Sequence, residues 1–118
     1  MTSPAADAQS EKPRRIQLRR ARRWRLPENA VNVARPGPWG NPFVVGKDGD
    51  RTYCVKLYRI LLDGYLCLSS EAEPEAQRAA RRYVVAHIDE LRGKDLACWC
   101  RLDGKPCHAD VLLELANR

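Results

Sequence analysis

No apolar run in this chain is long enough to cross a membrane. The best candidate is interrupted by Asp63 and Gly64, which excludes a helical span. The opening Met-Thr-Ser-Pro-Ala-Ala-Asp lacks the charged-then-apolar order of a secretory leader, so a cytoplasmic setting is expected. The cysteines lack a full set of pairs: there are 5, an odd number, which argues against a closed disulfide framework and for reduced thiols. Cys54 and Cys67 fall in an apolar helical pattern and read as small core residues. There is no internal repeat, and 118 residues suffice for one core but not comfortably for two.

Acidic residues are also missing from one place in particular. Residues 12–25 hold Lys12, Arg14, Arg15, Arg19, Arg20, Arg22, Arg23 and Arg25 and no carboxylate. Of 21 basic residues these are eight, which leaves 13 against 15 acidic side chains elsewhere. The net charge of +6 therefore belongs to an arm on a slightly acidic body, a distribution that points to a phosphate-rich partner. In that reading Arg19, Arg20, Arg22, Arg23 and Arg25 contact nucleic-acid phosphates and Trp24 stacks on a base. The bland alternative is a solvated charge run.

Residues 1–13 are small, polar and proline-containing, and are expected to form a disordered tail. Residues 14–118 are expected to form one α/β domain that carries the arm at 14–25. Alternation at Ile16 and Leu18 permits a short strand, and Ala30 to Ala34 alternates cleanly as a second. The segment Arg35-Pro-Gly-Pro-Trp-Gly-Asn-Pro-Phe43 excludes helix and central strand, with a further short strand expected over Phe43–Val45. Apolar spacing predicts a helix from about Arg51 to Leu66. A second is predicted after a capping box at Ser70 and Glu73, with a stripe through Ala76, Ala80, Tyr83, Val84, His87, Ile88 and Leu91. His87 on that stripe reads as a core histidine. Asp95 to Cys100 reads as a buried strand, and Cys107 or His108 opens a last helix. The fold class that follows is a small α/β layered domain, a short central sheet flanked by about three helices.

Two constellations carry chemistry. The first is Cys98, Cys100, Cys107 and His108. Cys98 and Cys100 share a strand face while Trp99 points away, and the loop 101–106 returns Cys107 and His108 to the strand end. Three sulfurs and one nitrogen suit tetrahedral zinc, although the spacing Cys-x-Cys-x6-Cys-His is not the familiar paired Cys-x2-Cys. A metal-free alternative has Cys107 as a reactive thiol at a helix N-terminus, His108 as proton carrier and Asp110 as orienting carboxylate. The bland reading makes the cysteines small buried residues. The second constellation is the loop 35–43. Arg35 is a phosphate or carboxylate clamp, Trp39 a stacking surface and Asn41 a base- or ribose-reading amide, or else Pro36, Trp39 and Phe43 plug one end of the core.

Arg35-Pro-x-x-Trp-Gly-Asn-Pro-Phe43, Leu91-x-Gly-Lys-Asp-Leu-Ala-Cys-Trp-Cys100 and Cys107-His-Ala-Asp-Val-Leu112 together resemble a phage and bacterial family catalogued as domain of unknown function four-three-two-six. The resemblance spans roughly residues 16–118, and its motifs occur in the right order. It implies a phage-type protein, acting in the host cytoplasm when phage-encoded, but no agreed activity. A looser likeness to other small α/β families ending in Cys…Cys-His before the last helix favours a site at Cys100, Cys107 and His108. The expectation is a protein that binds or processes a nucleotide or nucleic acid where Arg35 meets residues 98–108. The competing class is a non-enzymatic protein gripping nucleic acid or an acidic host protein with its arm.

Overall fold

The computed structural model describes residues 12–118, so all but the last two residues of the expected tail lie outside the described residues. Three strands form the sheet: β1 (Arg15–Gln17), β2 (Ala30–Asn32) and β3 (Asp95–Cys98). Their order is β1-β3-β2 and all pairs are parallel. Gln17 sits opposite Cys98, and Val31 opposite Leu96. The chain between β2 and β3 supplies α1 (Arg51–Leu62), α2 (Pro74–His87) and a 3-10 turn over Ile88–Leu91, and α3 (His108–Ala116) follows β3. The described residues thus form an α/β fold of one domain, with three α-helices and a small parallel sheet. Among the described residues no helix is long and apolar enough to cross a membrane.

β3 is central because its side chains can be buried on both faces. Leu96 and Ala97 point to opposite sides of the pleat and neither is exposed to solvent. Its neighbours carry polar residues and are correspondingly short. The pairing continues one residue past each edge strand, with the Leu18 and Val33 amides donating to the Cys98 and Ala97 carbonyls. Val33, Tyr58, Val84, Leu91, Leu96 and Leu112 belong to the main core. A smaller cluster joins Phe43, Cys54, Leu57 and Leu61, and Cys67 packs on it partly buried.

Several local expectations change. α1 stops at Leu62, before Leu66, because Gly64 adopts φ 113° and reverses the chain. Phe43–Val45 is not a strand: Val45 forms only an isolated bridge to Gly49, since Asp48 ties the Val44 amide into a turn. Ser70 and Glu73 form no capping box, and Glu73 makes no side-chain cap bond. The Ser70 hydroxyl is bonded to Asp48 instead, and its oxygen receives the Ala72 amide. Gln77 anchors the entry to α2, its buried amide meeting both the N–H and the carbonyl of Cys67. His87 is not a core histidine. Its ring stacks on Tyr83 and its Nδ1 lies 2.6 Å from Glu90 on an exposed face.

Candidate metal centre

The cysteine-rich segment lies at the carboxyl end of β3, beside the carboxyl end of β2, where open parallel sheets place their ligands. Cys98 ends the strand, and Trp99, pointing the other way, is 43% exposed. The alternation continues beyond the strand, so Cys100 Sγ lies 3.7 Å from Cys98 Sγ. Cys107 is the N-cap of α3: its carbonyl accepts the Asp110 amide at 2.9 Å while the Asp110 carboxylate accepts the Cys107 amide at 2.8 Å. That reciprocal cap is what lets two adjacent residues, Cys107 and His108, face one point. The extended backbone of the cap turns Cys107 inward as His108 begins the helix.

His108 orients the cluster. Its Nε2 is 2.7 Å from the Val33 carbonyl oxygen, which can only accept, so Nε2 carries the hydrogen. In the neutral ring Nδ1 is then a bare lone pair. It lies 3.7 Å from Cys107 Sγ and 3.9 Å from Cys98 Sγ. The donor atoms of Cys98, Cys107 and His108 all fall within 4.8 Å of one another and all three residues are buried, so the cluster could hold a metal ion. The orienting group that the sequence assigns to Asp110 is the Val33 carbonyl. Asp110 is spent on the cap and on Arg15, 3.7 Å away.

Hydrogen bonds among the thiols split their acidities. The thiols of Cys100 and Cys98 pull the Cys107 pKa far down against its burial. Bonds to Cys100 and Cys107, together with burial, push Cys98 far up. Cys107 also pushes Cys100 up. The cluster thus favours one thiolate, at Cys107, held by its neighbours. Burial opposes the charge of Arg15, yet contact with Cys107 and attraction to Asp110 raise its pKa all the same. The Arg15 side chain is only 10% exposed, and its Nη1 is buried with no hydrogen-bond partner among the described residues.

A cavity of about 180 Å³ opens onto the cluster, lined by all four Cys/His residues and by Ala34, Arg35, Asn41, Phe43 and Arg51 among others. The tryptophan loop and the sulfur-rich turn therefore share one rim. Arg35 is exposed there. The other two residues proposed from the loop are committed to the fold. Trp39 is 5% exposed, its ring edge-on to Tyr83 at 5.0 Å and its carbonyl bonded to the Tyr58 hydroxyl, so it plugs the core and is no platform for a base. Asn41 spends its amide on the Cys54 carbonyl and the Phe43 amide.

Residues 16–118 match the family described as Domain of unknown function (DUF4326). The chain belongs to DUF4326. It is also 33% identical over 89 residues to an uncharacterised 12.4 kDa protein in the nrdA-td intergenic region of Enterobacteria phage T4, an alignment covering 75% of this chain and 68% of that protein. No solved structure matches. The part shared with DUF4326 contains all four Cys/His residues and begins one residue after Arg15.

Two organising residues escape sequence reasoning. Arg51 staples the loop between Cys100 and Cys107: its guanidinium donates to the carbonyls of Pro106 at 2.7 Å and Lys105 at 2.8 Å and to Asp103 at 2.8 Å. The available signal was an arginine in the first turn of a helix, where the dipole disfavours a cation. Arg15 was hidden among the charges of the arm. The other arm residues, Arg19, Arg20, Arg22, Arg23 and Arg25, are exposed and make no ion pair among the described residues. Trp24 packs partly buried against the main core, and the Arg20 guanidinium sits 4.6 Å over the Trp99 ring.

Proposed function

We propose that this DUF4326 domain is a zinc-organised nucleic-acid-binding module. Cys98, Cys100, Cys107 and His108 hold one zinc ion, and the adjoining arginine arm takes the phosphate backbone. The observation that carries the reading is the His108 ring, tethered through Nε2 to a carbonyl with its bare Nδ1 among thiols. A histidine ligand held by a backbone carbonyl is the usual outer-shell arrangement of zinc sites. The distances among Cys98, Cys107 and His108 fit as well, and Cys100 Sγ, outside that group of donors within 4.8 Å of one another, must close in as the fourth ligand. Zn–S bonds of about 2.3 Å and Zn–N bonds of about 2.0 Å in a tetrahedron put sulfurs about 3.8 Å apart and nitrogen about 3.5 Å from sulfur. The corresponding separations here are 3.7 Å between Cys98 and Cys100, and 3.7 and 3.9 Å from Nδ1 to the two sulfurs. Three thiolates and an imidazole on zinc carry net negative charge, which supplies the partner that the buried Arg15 Nη1 otherwise lacks.

Four protein ligands close the coordination shell, as in structural sites. The cavity above them contributes Arg35 and Arg51 but no carboxylate to serve as a base, and Cys107 is fully buried, poorly placed for attack on a substrate. Both features favour binding over hydrolysis. Trp99 lies between two of the ligands and carries Arg20 on its ring, so the metal braces the platform on which the arm rests.

The test combines metal content with salt-dependent binding. The native protein should purify with about one equivalent of zinc, and Cys107→Ser should lose it. Binding to a short duplex should weaken with salt at a logarithmic slope of about 4.5 if all five exposed arm arginines meet phosphates, and chelation should reduce it. A metal-free protein as stable as any zinc-loaded sample would remove the zinc reading. Salt-insensitive binding, or none, would remove the nucleic-acid reading.

A further inference from the structure

A second positively charged hollow lies on α2, lined by residues outside the metal centre and the arm. Arg78, Arg81 and Arg82 occupy positions three and four apart on α2 and so share one face. With Leu61, Gly64 and Leu66 they line a cavity of about 310 Å³ where α1 ends. One carboxylate serves the group: Glu75 lies 4.0 Å from Arg78 and 3.4 Å from Arg82. Arg81 has no ion pair and no hydrogen bond among the described residues, and its Nε is buried without a partner. Asp63, next to Gly64, pairs with none of the three.

The common structural explanation for arginines at such a place is capping of the final helix carbonyls. Here the chain does that itself. The Asp63 amide donates to Arg59 and Ile60, the Gly64 amide to Leu61 and the Tyr65 amide to Ile60, all between 2.9 and 3.2 Å. Gly64 makes this closure possible with its φ of 113°. Arg81 Nη2 reaches the turn closely enough that a Cβ built on Gly64 would meet it at 3.8 Å, yet it bonds to nothing there. The result is a partly desolvated guanidinium with unused donors, flanked by two more, over an apolar floor of Leu61 and Leu66.

We propose that this hollow is a binding site for the phosphate group of a small phosphorylated ligand, independent of the zinc centre and of the arm. Guanidinium forks match phosphate oxygens two at a time, and the site has two positive charges more than Glu75 can neutralise. The buried Nε of Arg81 gains its missing acceptor when the phosphate enters. The apolar floor takes the carbon skeleton of the ligand.

Amide NMR on the full chain tests this with inorganic pyrophosphate as the probe. Pyrophosphate should shift the Gly64 and Leu66 amides saturably. Arg81→Gln should weaken binding about tenfold, the value of one charge-assisted hydrogen bond. Arg78→Gln, at an exposed position, should weaken it less while leaving the fold untouched, and Arg20→Gln on the arm should change nothing. A short oligonucleotide without terminal phosphates separates the two sources of phosphate and should leave Gly64 unmoved. Pyrophosphate shifts confined to the arm, equal affinity in Arg78→Gln and Arg81→Gln proteins and the parent, or a Gly64 response to the oligonucleotide but not to pyrophosphate would each overturn the proposal.

Discussion

The thiol-rich end of the sheet and the arginine arm are both dense in one kind of side chain, but the fold treats them oppositely. Cys98, Cys107 and His108 are buried and converge on one point, each placed by a different structural device: a strand end, a helix cap and a first helical turn. Arg19, Arg20, Arg22, Arg23 and Arg25 lie exposed on irregular chain and share no focus. Within residues 19–25, Arg20, over Trp99, and Trp24, against the core, tie the chain down. The first region derives its chemistry from tertiary geometry. The second derives it from charge density, which survives loss of any one position. Damage to the first should therefore be cooperative and felt in stability, and damage to the second graded and felt in binding.

The sharpest way to break the contrast is to strip metal or introduce Cys107→Ser. Thermal melts should show a loss of about 3 kcal/mol or more, because a structural zinc site contributes directly to folding. In a domain of this size that is on the order of 10 °C in melting temperature. Equal melting temperatures would place the thiols with the arm, as residues the fold does not depend on. Arg51→Met should come next. It removes the bonds to Pro106, Lys105 and Asp103, and denaturant unfolding should report about 2 kcal/mol while zinc retention falls about tenfold. A stability loss without any change in zinc retention would show that the loop is braced independently of the metal.

A carboxylate seam away from both regions sharpens the comparison through pH. The Val44 amide and then the Ser70 hydroxyl bond to Asp48 and hold its pKa below the usual 3.8. A depressed carboxylate stabilises the fold above its unfolded pKa, and that contribution is lost as pH falls through the folded value. Asp48→Asn should thus cost up to about 1 kcal/mol at neutral pH once solvent screening at this partly exposed site is allowed for, and the gap from the parent should start to narrow as pH falls below about 4. Urea midpoints at pH 7 and pH 3 measure it, and a gap as wide at pH 3 as at pH 7 would contradict the ionic origin. The smallest effect belongs to the arm. Replacing Arg22, Arg23 and Arg25 together with glutamine should leave stability within about 0.5 kcal/mol while lowering the salt slope of duplex binding by up to about 3.

Much of this was legible before any coordinates. Ala30 to Asn32 and Asp95 to Cys98 form strands where alternation and apolar content place them, and α3 opens at His108 with Cys107 as its cap. The cluster was legible too, since a strand followed by a short loop and a helix start returns Cys107 to Cys98. Side-chain competition was not. Ser70 could cap α2 or bond Asp48, and only the approach of the 44–48 turn decides for Asp48. His87 sits on an apolar stripe by spacing, but the helix gives way there to a 3-10 turn and leaves it facing Glu90. Trp39 and Asn41 have the chemistry of ligand-binding residues, and their use in the core depends on Tyr83, Tyr58 and Cys54, residues from distant parts of the chain.

Composition and local periodicity alone determined an α/β domain, a basic arm and a short segment able to bring thiols and an imidazole together, because these follow from charge counting and from repeats of two and 3.6 residues. The tertiary structure decided which atom of His108 faces the sulfurs, which arginine is buried beside them and which one closes their loop. Those outcomes depend on Val33, Arg15 and Arg51, which bond to residues 98–108 across 50 to 90 positions of chain, beyond the reach of any local pattern.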